Sequence, residues 1–231
     1  MTRANGLHHL AISTGNMKSQ IEFFSDVLGM ELVALYWMHG VEGTWHGFMR
    51  LNDTASVAFV QNDRIKATKA VLGVSHAGNP GLPTAPGAMQ HVAFNVDGDE
   101  ELLNMRDRIR SRGINVIGPL DHGMCKSIYF AGPEGLSLEI ATSAAAIDAR
   151  AWIDPEVQAL AGVSNEELAR FKAPAAYKGE GGKLKQPPYD AAKPHQVYPP
   201  SAYKHLLAMS DEDVLKRLSV PEPPVRIAAA E

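Results

Sequence analysis

Apolar and polar positions along the first 145 residues fall into a pattern that occurs twice. "LHHLAIST" (7–14) and "MQHVAFNV" (89–96) both read histidine, bulky apolar, alanine, bulky apolar, the alternation of a half-buried strand. Each is followed by a stretch with helical spacing. "NMKSQIEFFSDVLG" puts Ile21, Phe24, Val27 and Leu28 on one stripe, and "DEELLNMRDRIRSRG" does the same with Leu102, Met105 and Ile109. Gly29 and Gly113 close these stretches, as suits a left-handed helix cap. Three strand-like segments follow each helix: "MELVALYW", "TWHGFMRL" and "SVAFVQ", then "INVIGPL", "KSIYFAG" and "LSLEIAT". Each half therefore reads β-α-β-β-β. The modules are 6–62 and 88–145, joined by an insertion at 63–87, long enough to expect a functional loop rather than a plain connector.

Strand parity turns the repeat into candidate chemistry. Side chains alternate faces, so Val92, Phe94 and Val96 pack on the helix while His91, Ala93 and Asn95 face the other way. The repeat equates His9 with His91 and leaves His8 pointing with Leu10, with no assigned role. In the last strand Leu136, Leu138 and Ile140 face the helix, whereas Ser137 and Glu139 share the face of His91. A carboxylate on a buried face is costly unless it is paired or bound to metal. His9, His91 and Glu139 thus form a candidate 2-His-1-carboxylate set. Such a set leaves coordination positions open and suits Fe(II); Mn(II), Zn(II) or another divalent metal is also compatible. The plainer alternative is two core histidines and a salt-bridged glutamate.

The composition changes at residue 146. From there the chain holds ten of its fifteen prolines and four of its six tyrosines. "DPEVQALAGVSNEELARF" has helical spacing, with Ser164 and Glu167 as a capping box for its second part. "KGEGGKLKQPPYDAAKPHQVYPPSAY" reads as extended, polyproline-like chain, and "SDEDVLKRL" as a short helix capped by Ser210. Residues 146–231 are expected to wrap their own domain or a partner subunit, and a homodimer is expected because sheet edges need covering. The net charge of −4 offers no basic footprint for nucleic acid or an anionic membrane. No apolar run approaches the roughly 20 residues of a membrane span. The single cysteine, Cys125, excludes an intrachain disulfide and a cysteine zinc cluster. A cytoplasmic location is the expectation.

Residues 6 to 145 resemble the vicinal oxygen chelate superfamily, also called the glyoxalase, bleomycin-resistance and extradiol dioxygenase superfamily. The resemblance implies an α+β fold whose paired β-α-β-β-β modules form a cup-shaped mixed sheet around one metal. It implies metal ligands at His9, His91 and Glu139. The likeness is greatest to the catalytic half of type I extradiol ring-cleaving dioxygenases, carried by "HGMCKSIYFAGPEGLSLE" (122–139). Tyr129 stands ten residues before Glu139 on the inward parity, and His122 opens the segment. The resemblance implies that Tyr129 hydrogen-bonds a substrate oxygen near the metal and that His122 donates to the ring or a leaving oxygen. Gly132 stands where that group has an aspartate.

One departure concerns chemistry. The ring-cleaving enzymes place an acid–base histidine just before the strand that reads "SVAFVQ" here, and Ala55 occupies that place. Such help is worth about 10²–10⁴-fold in rate. His46, assigned outward parity, is a poor substitute. His76 in the insertion and His195 in the tail are speculative ones. Trp45, Met49 and Phe59 are candidates to line the cup and favour an aromatic substrate. The glyoxalase I branch requires a glutamate ligand on the last strand of the first module, where this chain has Ala58 and Phe59. The expectation is therefore an Fe(II)-dependent extradiol-type dioxygenase using O₂ on a catechol-like small molecule. The alternatives are a non-oxidative metal-dependent isomerase, epimerase or lyase and, behind it, a metal-free binding protein of the bleomycin-resistance kind.

Overall fold

A computed structural model describes residues 3–143 and 145–226. The first module contains β1 (His9–Ser13), α1 (Met17–Glu22), β2 (Glu31–Trp37), β3 (Trp45–Asn52) and β4 (Ala55–Gln61). A short helix, α2 (Asp63–Ala67), opens the insertion. The second module contains β5 (Val92–Val96), α3 (Asp99–Ser111), β6 (Val116–Asp121), β7 (Lys126–Ala131) and β8 (Ser137–Thr142). Each module builds one open, four-stranded mixed sheet, with strand orders β1-β4-β3-β2 and β5-β8-β7-β6. The first strand of each module runs parallel to its last, and the other pairings are antiparallel. The fold is the α+β pair of β-α-β-β-β modules expected from the repeat.

Registers align the two modules residue by residue. Ala58 pairs with Ala11 on one side and Phe48 on the other. Glu139 pairs in the same way with Ala93 and Tyr129. Ala58 is thus the counterpart of Glu139, Phe48 that of Tyr129, and His46, two residues before Phe48, that of Ser127. This corrects the parity assigned to His46: it lies on the same sheet face as Phe48, the face turned away from the helices. It also removes Met49 and Phe59 from the candidate lining. Both are fully buried in the helix-side core, and Trp45 packs against the same cluster.

That core joins both modules. The Phe24 ring meets Phe59 edge-on at 4.9 Å in its own module and Phe94 at 6.2 Å in the other. Phe23 stacks on Phe130 at 6.5 Å. Both phenylalanines lie in a π-helical turn, Phe23–Val27, that continues α1. In the second module α3 buries Leu102 and Ile109. Its first turn holds Asp99, Glu100 and Glu101 and its last Arg108 and Arg110, matching the helix dipole.

Two side chains of the second module hold the ends of this first helical segment. At its start, Glu134 accepts from Thr14 Oγ1 at 2.6 Å, Gly15 N at 2.8 Å and Gln20 Nε2 at 2.8 Å. At its end, Arg108 Nε donates to the Val27 carbonyl at 2.8 Å, and Nη2 reaches those of Ser25 and Asp26. Gly29 is required there twice over. Its φ is +81°, and a Cβ would sit 2.9 Å from the Arg108 Cζ.

Beyond β8, α4 (Ala149–Trp152) precedes two helices, α5 (Pro155–Leu160) and α6 (Asn165–Lys172). The helical run expected here breaks at Gly162, φ 69°, and restarts at the capping box of Ser164 and Glu167. The segment read as extended chain ends sooner than expected, at α7 (Pro200–Ala208), because Pro200 fixes the first helical φ and good helix formers follow. Then comes α8 (Asp211–Leu218), capped by Ser210. Packing divides the chain into two compact units, one of residues 6–37 and 43–173, the other holding 38–42 and the chain from 174. In the second unit, Tyr198 stacks on Tyr203 at 5.6 Å, and Tyr189 hydroxyl lies 3.3 Å from His195 Nε2. No residue from 174 to 226 is buried. Among the described residues no helix is long and apolar enough to cross a membrane.

The Glu134 contacts set a pH dependence. Burial alone pushes this carboxyl up, but the hydrogen bonds from Thr14, Gln20 and Gly15, with His76 nearby, outweigh burial and hold it below its ordinary value of 4.5. Its stabilising contribution is complete above that ordinary value and disappears as pH falls through the depressed one. Glu134→Ala is expected to lower stability at pH 7 by about 2 kcal/mol, the scale of losing charge-assisted hydrogen bonds. Denaturant titrations at pH 7 and pH 3 check this: the gap between variant and parent should shrink at the lower pH.

Candidate metal centre

β5, β7 and β8 bring four polar side chains of the second module into one chain of contacts. Glu139 is 5% exposed, on the β8 face opposite the core residues Leu138 and Ile140. Its Oε2 lies 3.0 Å from His91 Nε2, and its Oε1 accepts from the Tyr129 hydroxyl at 3.1 Å. His91 immediately precedes β5, and Tyr129 sits directly across β8 from Glu139. His122, in the turn between β6 and β7, places Nε2 3.0 Å from the Tyr129 oxygen. The phenol has one proton, committed to Glu139, so the His122 Nε2–H donates to the phenol oxygen. Burial first, and the negative charge of Glu139 with it, pushes the Tyr129 phenol above the usual tyrosine range, although Ser127 acts in the opposite direction.

The turn carrying His122 is held from both sides. Asp121 Oδ1 accepts from Gly123 N at 2.8 Å, and the Trp152 ring packs so close that a Cβ on Gly123 would sit 2.9 Å from it. Gly132, at the place of the aspartate of the ring-cleaving motif, faces similar crowding: a Cβ would lie 2.8 Å from Leu138 Cδ1.

His91 is fixed from its other side. Gln90 Nε2 donates to three carbonyls of the insertion, those of Pro80 at 2.8 Å, Leu82 at 3.1 Å and Asn79 at 3.3 Å. Those carbonyls only accept, so the amide orientation is determined, and Gln90 Oε1 is the atom that contacts His91 Nδ1. An amide oxygen only accepts, so His91 Nδ1 carries a proton. His91 Nε2 then faces a carboxylate oxygen, a pair that needs a proton or a cation between them. This is the chemistry of a cation-binding pair, and it fits a divalent metal.

The first module contributes differently. His9 opens β1 on the inner face, its ring 5.4 Å from Phe48 and its Nδ1 2.9 Å from His8 Nδ1, which leaves Nε2 as the nitrogen for a metal. Among the described residues no three His, Cys, Asp or Glu side chains converge closely enough to hold an ion; the convergent pair is His91 and Glu139. His46 is 8% exposed, its ring 5.5 Å from Phe48, and its Nε2 has no hydrogen-bond partner. Burial, and secondarily the charge of His9, holds the His46 imidazole below its usual range. Ala55 begins β4 with no titratable group.

His76 sits elsewhere. Its Nδ1 is 2.8 Å from Ser75 Oγ, and it lines a cavity of about 330 Å³ with Leu10, Ser13, Met89, Gln90 and Ser137. None of His9, His91 and Glu139 is in that wall. Sequence reasoning missed Gln90. The signal for it was the repeat, which places Gln90 opposite His8, each directly before a candidate ligand.

The sequence has counterparts among known proteins. The sequence model of the Glyoxalase/Bleomycin resistance protein/Dioxygenase superfamily matches residues 6–140, and the chain belongs to that superfamily. Among curated proteins, it is 26% identical over 140 residues to biphenyl-2,3-diol 1,2-dioxygenase 2 of Rhodococcus globerulus, covering 61% of this chain and 64% of the relative. The chain thus spans less than two thirds of that relative's length. It is 25% identical over 137 residues to a probable lactoylglutathione lyase of Synechocystis sp., covering 58% of this chain and 92% of the relative. A glyoxylase/bleomycin resistance protein/dioxygenase domain from Frankia sp. EAN1pec aligns with TM-score 0.47 and 11% identity, over 61% of this chain and 98% of that one.

Two measurements follow from this geometry. In a spectrophotometric titration of the tyrosines one phenol should ionise later than the rest, and Tyr129→Phe should remove that last step. His46→Leu removes a buried nitrogen that lacks a partner. It is expected to keep stability or raise it by up to about 1 kcal/mol; thermal unfolding checks this, and a loss of several degrees would mean the nitrogen has a stabilising partner.

Proposed function

We propose that this protein is a metal-dependent extradiol-type dioxygenase that opens a catechol-like aromatic ring with O₂. The observation that carries the reading is the contact chain His122–Tyr129–Glu139–His91. His91, Glu139 and, from the other module, His9 are the proposed metal ligands, with Fe(II) the proposed ion. When bound, that ion supplies the Lewis acid and the electron route between an ordinarily unreactive O₂ and the ring. The protein's own groups do the rest. Tyr129 is placed to hydrogen-bond an oxygen of the substrate beside Glu139, releasing its present bond to the carboxylate. His122, joined to the Tyr129 oxygen, is placed to hold and deliver a proton there. Besides the proposed ligand His9, the first module carries His46 on its inner face, where Ala55 leaves the usual acid–base position without a histidine.

The relatives support the chemistry in two directions. The Rhodococcus relative is by its name a diol dioxygenase, and the Synechocystis one a probable lyase whose length this chain matches more fully. Against the lyase reading stands Ala58, whose methyl occupies the register counterpart of Glu139 and cannot ligate. The proposal includes a homodimer, with the extension from residue 146 as its covering arm.

Anaerobic purification, Fe(II) loading and O₂ uptake over a panel of catechols and hydroquinones test the reading. Ring opening is expected with at least one of them, and His9→Ala, His91→Ala and Glu139→Ala should each lower it by 10³-fold or more. Tyr129→Phe should lower kcat by about 10–100-fold while leaving metal content intact. An Fe(II)-loaded protein that consumes no O₂ with any diol yet isomerises a thiohemiacetal would favour the lyase.

A further inference from the structure

We propose that Gln90 is a positioning residue through which the 63–87 insertion orients His91, fixing a proton on Nδ1 and aiming Nε2 at Glu139. The inference rests on the proposed metal site only for its consequence. The arrangement itself is in the hydrogen bonds.

One amide performs two tasks. Its nitrogen is held by the carbonyls of Asn79, Pro80 and Leu82, so its oxygen cannot turn away from His91. That oxygen requires a proton on His91 Nδ1. Without it, a neutral His91 has a competing tautomer: Nε2–H, donating directly to Glu139 Oε2 at the observed 3.0 Å. That tautomer satisfies the buried carboxylate by itself and places a proton on the nitrogen a cation needs. Gln90 opposes it, because an Nδ1 without its proton would set a lone pair against the amide oxygen. A histidine ligand whose other nitrogen donates to a fixed acceptor is oriented and more basic. Here the acceptor is fixed only while the insertion is in place, so the loop's conformation reaches the ligand through a single side chain.

The first module repeats the device without the loop. His8 stands in the position of Gln90, and its Nδ1 contacts His9 Nδ1 at 2.9 Å. His8 is exposed and has no insertion to lean on, so the control over His9 is local.

The test uses the full chain, metal-free and then titrated with Mn(II) alone. Nitrogen-15 NMR of the metal-free protein should show His91 Nδ1 protonated. In Gln90→Ala the Nδ1 proton should be lost, leaving the Nε2–H tautomer on Glu139, and Mn(II) affinity should fall by about 10–100-fold. Gln90→Glu keeps an acceptor for Nδ1–H but loses the donors to the loop. It should restore the Nδ1 proton and the Mn(II) affinity to within about threefold, while the amides of 79–85 exchange faster than in the parent. That split is one a merely structural role does not produce. An unchanged His91 protonation pattern in Gln90→Ala overturns the inference, and so does a Gln90→Glu protein that behaves like Gln90→Ala. If the parent binds no Mn(II) or Fe(II), the proposed function fails, and the protonation pattern still decides the role of Gln90.

Discussion

The site depends on the grip of the second module on both ends of one helical segment of the first. Glu134 takes the N-terminal end, where backbone donors are unpaired, and Arg108 takes the C-terminal end, where carbonyls are. Each charge has the sign that the helix dipole favours. Between them, Phe23 and Phe24 press into the core of both sheets. The grip matters to function because the proposed ligands are divided, His9 on one module and His91 with Glu139 on the other. A rotation of one module about the other would change the spacing of His9 from the pair His91 and Glu139 without disturbing either sheet. Glu134 itself sits at φ +56°, a conformation that costs a non-glycine residue of order 1 kcal/mol. The three hydrogen bonds it makes there offset that cost.

A buried carboxylate without partners is among the most expensive groups a fold can hold. Glu139 is tolerated because Tyr129 donates to one oxygen and His91 stands at the other. Each partner is itself oriented, Tyr129 by His122 and His91 by Gln90. The contacts therefore run from the β6–β7 turn to the insertion through Glu139, with Tyr129 donating to one of its oxygens and a proton or cation called for at the other, against His91. Such a chain is preorganised to exchange one partner of Glu139 for a cation without rebuilding the rest.

Much of this was legible in the sequence. The repeat identified both modules, and period-two alternation placed Glu139 and His91 on one face, because strand parity is set by backbone geometry and not by tertiary context. The same rule was misapplied at His46. Set beside "CKSIYFAG", "TWHGFMRL" puts His46 level with Ser127 and so on the inward parity of Tyr129, not outward; in the structure the odd residues Met49, Val57 and Phe59 lie in the helix-side core. The pairing of Phe48 with Ala58, matching that of Tyr129 with Glu139, bears this out. The clamps of Glu134 and Arg108 were not legible, because their partners lie more than eighty residues away and are mostly backbone atoms. Gln90 was hidden for a related reason: its meaning lies in three carbonyls of a loop with no regular pattern. In the tail, α7 was hidden because its prolines mark both an extended chain and a helix start.

The repeat also shows how one scaffold divides labour. Corresponding positions carry alanine and phenylalanine in the first module, Ala58 and Phe48, where the second carries Glu139 and Tyr129. Ala58 is fully buried and Phe48 lies between His9 and His46. One inner face thus carries Ala58 and Phe48 with two histidines beside the ring, and the other is acidic and hydrogen-bonding. Had the first module carried a carboxylate at position 58, an ion on the proposed ligands would meet a fourth protein donor and less room for an incoming chelate. With a methyl there, the three proposed donors are the whole protein set, and the side of Ala58 and Phe48 is apolar and aromatic. That combination suits a planar ring presenting two oxygens to the metal better than it suits a flexible polar substrate, and it is the physical ground for preferring the diol-cleaving reading over the lyase.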